Sequence, residues 1–140
     1  MSAIHRDPLA PVAVIIVNWN GATDTLEVLG ELSGIEGPPL RMIVVDNGSS
    51  DDSVEVLRRQ APDVELVETG ENQGFAGGNL AGLRHAFQSE DFGWVLLINN
   101  DVAVDKGFLP PLIDACLAPD VGAAGPKIFY FEPRDLIIRE

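Results

Sequence analysis

The chain has 140 residues, 46% of them apolar and 22% charged, which fits one domain able to bury a core and argues against a disordered tract. A net charge of −13, with Lys106 and Lys127 the only lysines, counts against a nucleic-acid backbone or an anionic membrane surface as partner. The single cysteine, Cys116, rules out an internal disulfide framework and suits a reducing, cytoplasmic compartment.

Residues 1–11 read as an N-terminal tail carrying His5, and 12–140 as the domain. Val12–Val17 is a continuous β-branched run, far short of a membrane span and without a signal peptide's basic leader, so it reads as a strand covered on both faces. After Asn18-Trp19-Asn20-Gly21 comes a helix with Leu26, Leu29 and Leu32 on one side, ended by Gly34 and Pro38-Pro39. Met42–Val45 is a second strand, and Ser50 or Asp51 then caps a helix bearing Val54, Leu57 and Ala61. Pro62 breaks that helix before a third strand, Val64–Val67.

A glycine-rich turn, Gly70 to Asn79, leads into a helix expected to bury Ala76, Leu80, Leu83 and Phe87, spaced 4, 3 and 4 apart. Its His85 reads as an ordinary surface or partly buried histidine. Trp94–Ile98 is a fourth strand, stopping at Asn99-Asn100-Asp101. Asp105 is a candidate cap for a helix with Leu109, Leu112, Ile113 and Cys116 on its apolar face and Pro110-Pro111 in its first turn. Val121–Phe131 is expected to hold another strand, interrupted at Gly125-Pro126, and Leu136–Ile138 to begin one. Strand–helix alternation of this kind predicts an α/β three-layer sandwich around a mostly parallel sheet, with ligands at the carboxyl ends of the strands.

Three polar clusters follow three strands and converge at that edge. In Asn18-Trp19-Asn20-Gly21 the amides can hydrogen-bond a base edge beside the Trp19 wall, although a helix-capping turn accounts for them too. Asp46 can accept from a base N–H or a ribose hydroxyl, and is expected to be solvated, with no structural duty; the turn after it needs Gly48. Asn99-Asn100-Asp101 delivers a carboxylate to the rim, where Mg²⁺ or Mn²⁺ takes one or two carboxylates plus phosphate oxygens, but the same residues also make turns. Gly74–Gly78 fits either a phosphate cradle at a helix N-terminus or close packing of helix on sheet; it matches neither dinucleotide nor Walker loops.

Together the strings VAVIIVNWNG (12–21), IVVDNGSSDDS (43–53), ENQGFAGGNLAG (71–82) and WVLLINNDVAVDKGFL (94–109) resemble the GT-A-fold family 2 glycosyltransferases, especially their rhamnosyltransferase-like branch. The resemblance implies a nucleoside diphosphate sugar as donor and a Mg²⁺ or Mn²⁺ ion on its diphosphate. It places Asn18 and Asn20 at the nucleoside, Asp46 at base or ribose, and Asn72 and Gly74 along the nucleotide pocket. In Asn99-Asn100-Asp101, at the family's D-x-D position, Asp101 ligates the metal and Asn99 faces the ribose; many relatives carry Asp where this chain has Asn99.

The branch further implies inverting transfer, with deoxythymidine-diphosphate rhamnose as a candidate donor and a glycan or lipid-linked acceptor of the cell envelope. That acceptor would bring a cytoplasmic chain to the inner face of the membrane. The family's general base lies well downstream of the D-x-D position, so it is expected beyond residue 140, Glu132, Asp135 and Glu140 being too early. The chain therefore reads as the donor-binding part, truncated before the acceptor half, with an exposed sheet edge that favours self-association. A non-catalytic nucleotide-sugar-binding or interaction domain is the alternative. A sugar-nucleotide pyrophosphorylase would carry a G-x-G-x-R-type loop where Asn-Trp-Asn-Gly stands, and a receiver-like phosphoacceptor would want acids where Asn18 and Asn20 are.

Overall fold

The computed structural model describes residues 6–89 and 91–129. Strands and helices alternate: β1 (Val12–Asn18), α1 (Ala22–Leu32), β2 (Leu40–Asp46), α2 (Ser53–Gln60), β3 (Glu65–Glu68), α3 (Gly74–Ala86), β4 (Trp94–Asn99) and α4 (Leu109–Cys116). The strands form one parallel sheet in the order β3-β2-β1-β4. Strand order moves outward from β1 to β3 and then jumps back past β1 to β4. Right-handed crossovers on either side of that reversal put α1 and α2 on one face and α3 on the other, and the reversal opens a crevice between the carboxyl ends of β1 and β4.

The period of two along the strands sorts the core into two layers. Val12, Val14, Ile16 and Val44 face Val28, Leu29 and Leu32 of α1, Leu57 of α2, and Leu109 and Ile113 of α4. Ala13, Ile15, Ile43 and Val45 face the side of α3 that carries Ala86. The result is the α/β three-layer sandwich expected, with β1 and the carboxyl half of β2 buried on both faces.

Helix α3 corrects one expectation. Its buried residues are Gly78, Asn79, Gly82 and Ala86, while Ala76 is exposed and Leu80 and Phe87 are 45% and 67% exposed. The small face wins because the helix lies almost on the sheet. A Cβ on Gly82 would come 2.5 Å from Ile15 Cγ2, and one on Gly78 would come 2.9 Å from Val17 Cγ1. Close packing therefore accounts for Gly78, whereas a Cβ on Gly77 would meet only Gln73 of its own helix.

Smaller corrections concern helix starts. Asp105 does not cap α4, whose N-cap is Phe108; its carboxylate instead accepts from Gly107 N–H at 2.9 Å in the preceding turn. Asp51 accepts from Ser53 N–H at 3.0 Å, but the α2 N-cap is Asp52. Residues 121–128 contain no strand, and Phe129 makes a single bridge. The remainder of that expected strand, the Leu136–Ile138 segment, His5, Glu132, Asp135 and Glu140 lie outside the described residues.

The segment before β1 is docked. Arg6 donates to the carbonyls of Cys116, Ala118 and Val121 just after α4, and Trp94 Nε1 donates to Asp7 O at 2.8 Å. No helix among the described residues is long and apolar enough to cross a membrane.

Candidate functional site

Strand register builds the site. Asn18 pairs with Asp46, Val17 with Asn99, and Asp46 with Glu68, so the polar residues form a row along the carboxyl edge. Asn18 and Asp46 continue the face that packs on α1, and both are buried, at 0% and 2% exposure. Such groups need partners, since a buried polar group left unpaired costs about 1–3 kcal/mol. Asn18 Nδ2 donates to Asp46 Oδ2 at 2.9 Å, Ser49 N–H to Asp46 Oδ1 at 3.0 Å, and Ser49 Oγ to Asp46 Oδ2 at 2.6 Å. The expectation of a solvated Asp46 without structural duty is thus corrected. The carboxylate organises the turn that follows it and orients Asn18.

The other side of Asn18 is equally engaged. Thr25 Oγ1 donates to Asn18 Oδ1 at 2.8 Å and stands 3.2 Å from Asn100 Nδ2. Asn20, at φ 53°, reaches across to the β2–α2 turn. Its side-chain oxygen accepts from Ser50 N–H at 2.8 Å, and its own N–H donates to Ser49 Oγ at 2.9 Å. The main contact of Asn18 and Asn20 within the chain is therefore the second cluster, which neither the capping-turn nor the ligand reading included.

A second group lies over β2 and the start of α3. Asn47 is buried; its Nδ2 donates to Gly74 O at 3.0 Å and its Oδ1 accepts from Gln73 N–H at 3.1 Å. Asn72 Oδ1 accepts from Gly74 N–H at 2.8 Å. Gly48, at φ +73°, lets this loop come close: a Cβ there would sit 2.4 Å from the Glu71 carbonyl carbon. Asn72 and Gly74 are themselves exposed.

Asn99 and Asp101 are exposed and flank the half-buried Asn100, which turns inward to Gly21 and Thr25. Trp19 is 56% exposed beside them in sequence with Asn18 and Asn20. Exposed amides, a carboxylate and an indole thus border the crevice at the strand-order reversal, above a floor of saturated hydrogen bonds.

The family model for Glycosyl transferase family 2 matches residues 13–139, nearly the whole chain. The chain belongs to glycosyl transferase family 2. It is 30% identical over 125 residues to the N-acetylglucosaminyl-diphospho-decaprenol L-rhamnosyltransferase of Mycobacterium tuberculosis, covering 82% of this chain and 40% of that protein. It is 26% identical over 131 residues to the low-salt glycan biosynthesis hexosyltransferase Agl10 of Haloferax volcanii, covering 92% of this chain and 40% of that protein. The mannosyltransferase PcManGT from Pyrobaculum calidifontis, solved in complex with GDP-Man and Mn²⁺, superposes with a TM-score of 0.69 at 29% identity, over 85% of this chain and 36% of that one. S. aureus TarS shares the fold, with a TM-score of 0.59 at 21% identity over 76% of this chain and 31% of the solved one. The chain spans about 40% of the length of the curated relatives it matches. Its fold is the GT-A sandwich of these transferases.

Family 2 membership sharpens the question of a metal. Among the described residues no group of three or more His, Cys, Asp or Glu side chains converges, so these residues offer no all-protein cage. Just beyond the end of β4 they offer the exposed carboxylate of Asp101. That donor set fits Mg²⁺ or Mn²⁺ arriving with a diphosphate, because such ions keep most of their sites for phosphate oxygen and water.

Sequence reasoning missed Thr25, Asn47, Ser49 and Asn100. Thr25 carried a signal: it lies four and seven residues before Leu29 and Leu32, on the buried stripe of α1, where a hydroxyl must find partners. Asn47 and Asn100 each follow a singled-out residue, so strand alternation turns them to the opposite side.

Proposed function

We propose that the chain binds a nucleoside diphosphate sugar as the donor-binding part of a glycosyltransferase. The observation that carries this is the exposed carboxylate of Asp101 at the strand-order reversal, beside exposed amides and Trp19 and above a floor of satisfied polar groups. Asn18, Asn20 and Asp46 form the nucleoside end, Asn72 and Gly74 border the pocket, Asn99 faces the ribose, and Asp101 holds the divalent ion. Since Asp46 and Asn18 are hydrogen-bonded from within, they act mainly by fixing the shape of the nucleoside end. Direct contact with the base falls to Trp19, Asn20 and whatever lone pairs Asp46 Oδ1 has left.

A divalent cation on the diphosphate supplies neutralisation of the leaving group. In the inverting reaction proposed, an acceptor hydroxyl gives its proton to a carboxylate base outside the described residues and bonds to the anomeric carbon as the carbon–oxygen bond to the diphosphate breaks. Asp101 orients the diphosphate for departure, and Asn99 adds a hydrogen bond without the second negative charge an Asp would bring.

The rhamnosyltransferase relative supports rhamnose as the sugar and a lipid-linked acceptor; the donor proposed is deoxythymidine-diphosphate rhamnose, used by a cytoplasmic chain at the inner membrane face. The PcManGT likeness supports the Mn²⁺ dependence. A domain that holds the sugar nucleotide without turning it over is the second reading, and it differs only in the transfer step. Calorimetric titration of dTDP, UDP and GDP with and without Mn²⁺ tests the donor site. Binding that Mn²⁺ strengthens and that weakens about tenfold or more in Asp101→Ala is expected; binding by the folded wild-type chain that Mn²⁺ does not strengthen contradicts the proposal. Transfer of rhamnose from the donor to a lipid-linked acceptor then separates the two readings.

The outward face of β4 leaves Val95 and Leu97 at 38% and 49% exposure, and such a face favours self-association of the isolated chain. Size exclusion over a range of concentrations is expected to show a shift toward a dimer; a monomer at every concentration contradicts it.

A further inference from the structure

The turn that carries Asp101 is held by Val102, packed on the core, and by Asn100, whose hold runs back to the nucleoside end. Asn100 Nδ2 has two protons and two acceptors: Thr25 Oγ1 at 3.2 Å and Gly21 O at 3.4 Å. Thr25 is fully buried, and its one hydroxyl proton goes to Asn18 Oδ1 at 2.8 Å, with Gly21 O close by at 3.0 Å. Asn18 Nδ2 then donates to Asp46 Oδ2 at 2.9 Å. The chain of donors is polarised in one direction, from Asn100 through Thr25 to Asn18, and each link strengthens the next. Contact is also steric, because a Cβ on Gly21 would lie 2.9 Å from Asn100 Nδ2.

We propose that Thr25 is a positioning residue for the metal-facing turn: seated with Gly21, its hydroxyl fixes Asn100 and so sets Asp101 relative to Asp46. The inference rests on the donor-site reading above and deepens it. Asn99 and Asp101 are exposed, so their placement depends on their inward-facing neighbours: Ile98 and Val102, which pack on the core, and the polar Asn100 between them. Thr25 touches neither ligand nor metal in this account; it acts through Asn100. Thr25→Val keeps the shape of the side chain while removing the acceptor for Asn100 and the donor for Asn18. Gly21→Ala pushes Asn100 outward and leaves the Thr25 hydroxyl and its bond to Asn18 in place, so the two variants perturb the turn from opposite sides.

The test is calorimetric titration of dTDP, UDP and GDP against wild type, Thr25→Val, Thr25→Ser and Gly21→Ala, each in Mn²⁺ and in EDTA, using the nucleotide that wild type binds most tightly. Outer-shell partners of metal ligands are generally worth about 10- to 100-fold in metal affinity. Thr25→Val and Gly21→Ala are therefore expected to lose about that factor in Mn²⁺ while staying within about threefold of wild type in EDTA, and Thr25→Ser to restore binding. Equal losses in Mn²⁺ and EDTA would show a merely structural role and overturn the inference, as would wild-type affinity in Thr25→Val. Absence of Mn²⁺-dependent binding in wild type itself would instead overturn the donor-site reading and this inference with it. Should Thr25→Val fail to fold, Gly21→Ala against wild type decides the matter by the same comparison.

Discussion

Asp46 shows how a residue can be picked out correctly and its surroundings misjudged. Its place at the end of a strand was legible, but its burial was not, because the groups that satisfy it come from Asn18 and Ser49, and Asn18 lies on another strand. Asp46→Asn turns an amide N–H₂ toward donors that need an acceptor. We expect a loss of about 1–3 kcal/mol in folding stability, read by urea unfolding, in addition to any loss of nucleotide binding. Unchanged stability would return Asp46 to the role of a free ligand.

Glu65 makes a prediction of the opposite kind, away from the site. The hydrogen bond from Arg41 lowers its pKa from the ordinary 4.5 to about 2, with His85 adding to the shift and burial opposing it. Arg41 Nη2 lies 2.8 Å and His85 Nε2 2.7 Å from Glu65 Oε2, so the carboxylate ties β2 and β3 to the end of α3. A depressed carboxylate contributes stability that is complete above its unfolded pKa and is lost as pH falls through its folded one. Here that window runs from about 4.5 down to about 2. The side chain is 36% exposed, so solvent screening holds the contribution to about 1 kcal/mol or less. Glu65→Gln is expected to remove that increment at neutral pH and to flatten the decline in stability across the same window. A decline as steep in the variant as in the wild type would assign the acid sensitivity elsewhere.

At the scale of elements, the strands were legible because β1, β2 and β4 are runs of β-branched and other apolar residues, as a parallel sheet requires, although β4 leaves one face exposed. The buried face of α3 was not. Its large apolar residues recur at helical spacing on one side, yet Gly78, Gly82 and Ala86 form the side that touches the sheet. Periodicity reports where apolar bulk lies; it does not report how near two backbones come. Gly82→Ala tests this directly, since the new methyl would stand 2.5 Å from Ile15 Cγ2 and 3.0 Å from Val45 Cγ2 in a filled layer. Overpacking of that kind costs about 1–3 kcal/mol, against a small gain in helix propensity. We expect a lower midpoint in chemical denaturation, and a higher midpoint would mean that α3 sits further from the sheet than described.

For the whole molecule, topology does most to place the function. The order β3-β2-β1-β4 sets the crevice between β1 and β4, and three polar strings separated by dozens of residues meet along its floor and rim. Those strings were readable, as was the family they resemble. The internal hydrogen bonds that divide them into a buried floor and an exposed rim were not, because partners such as Thr25 and Asn100 lie 75 residues apart. Binding at this edge predicts a particular spatial pattern. The measurement is the paramagnetic broadening of backbone amide signals by Mn²⁺ in the presence of dTDP, UDP or GDP. The account predicts broadening centred on Asn99–Asp101 and reaching Asn18–Gly21, while Arg41, Glu65 and His85, near the opposite ends of the strands, stay sharp. Broadening centred instead on the exposed acids Asp51, Asp52 and Glu55 of the α2 surface, or spread without a centre, would contradict it.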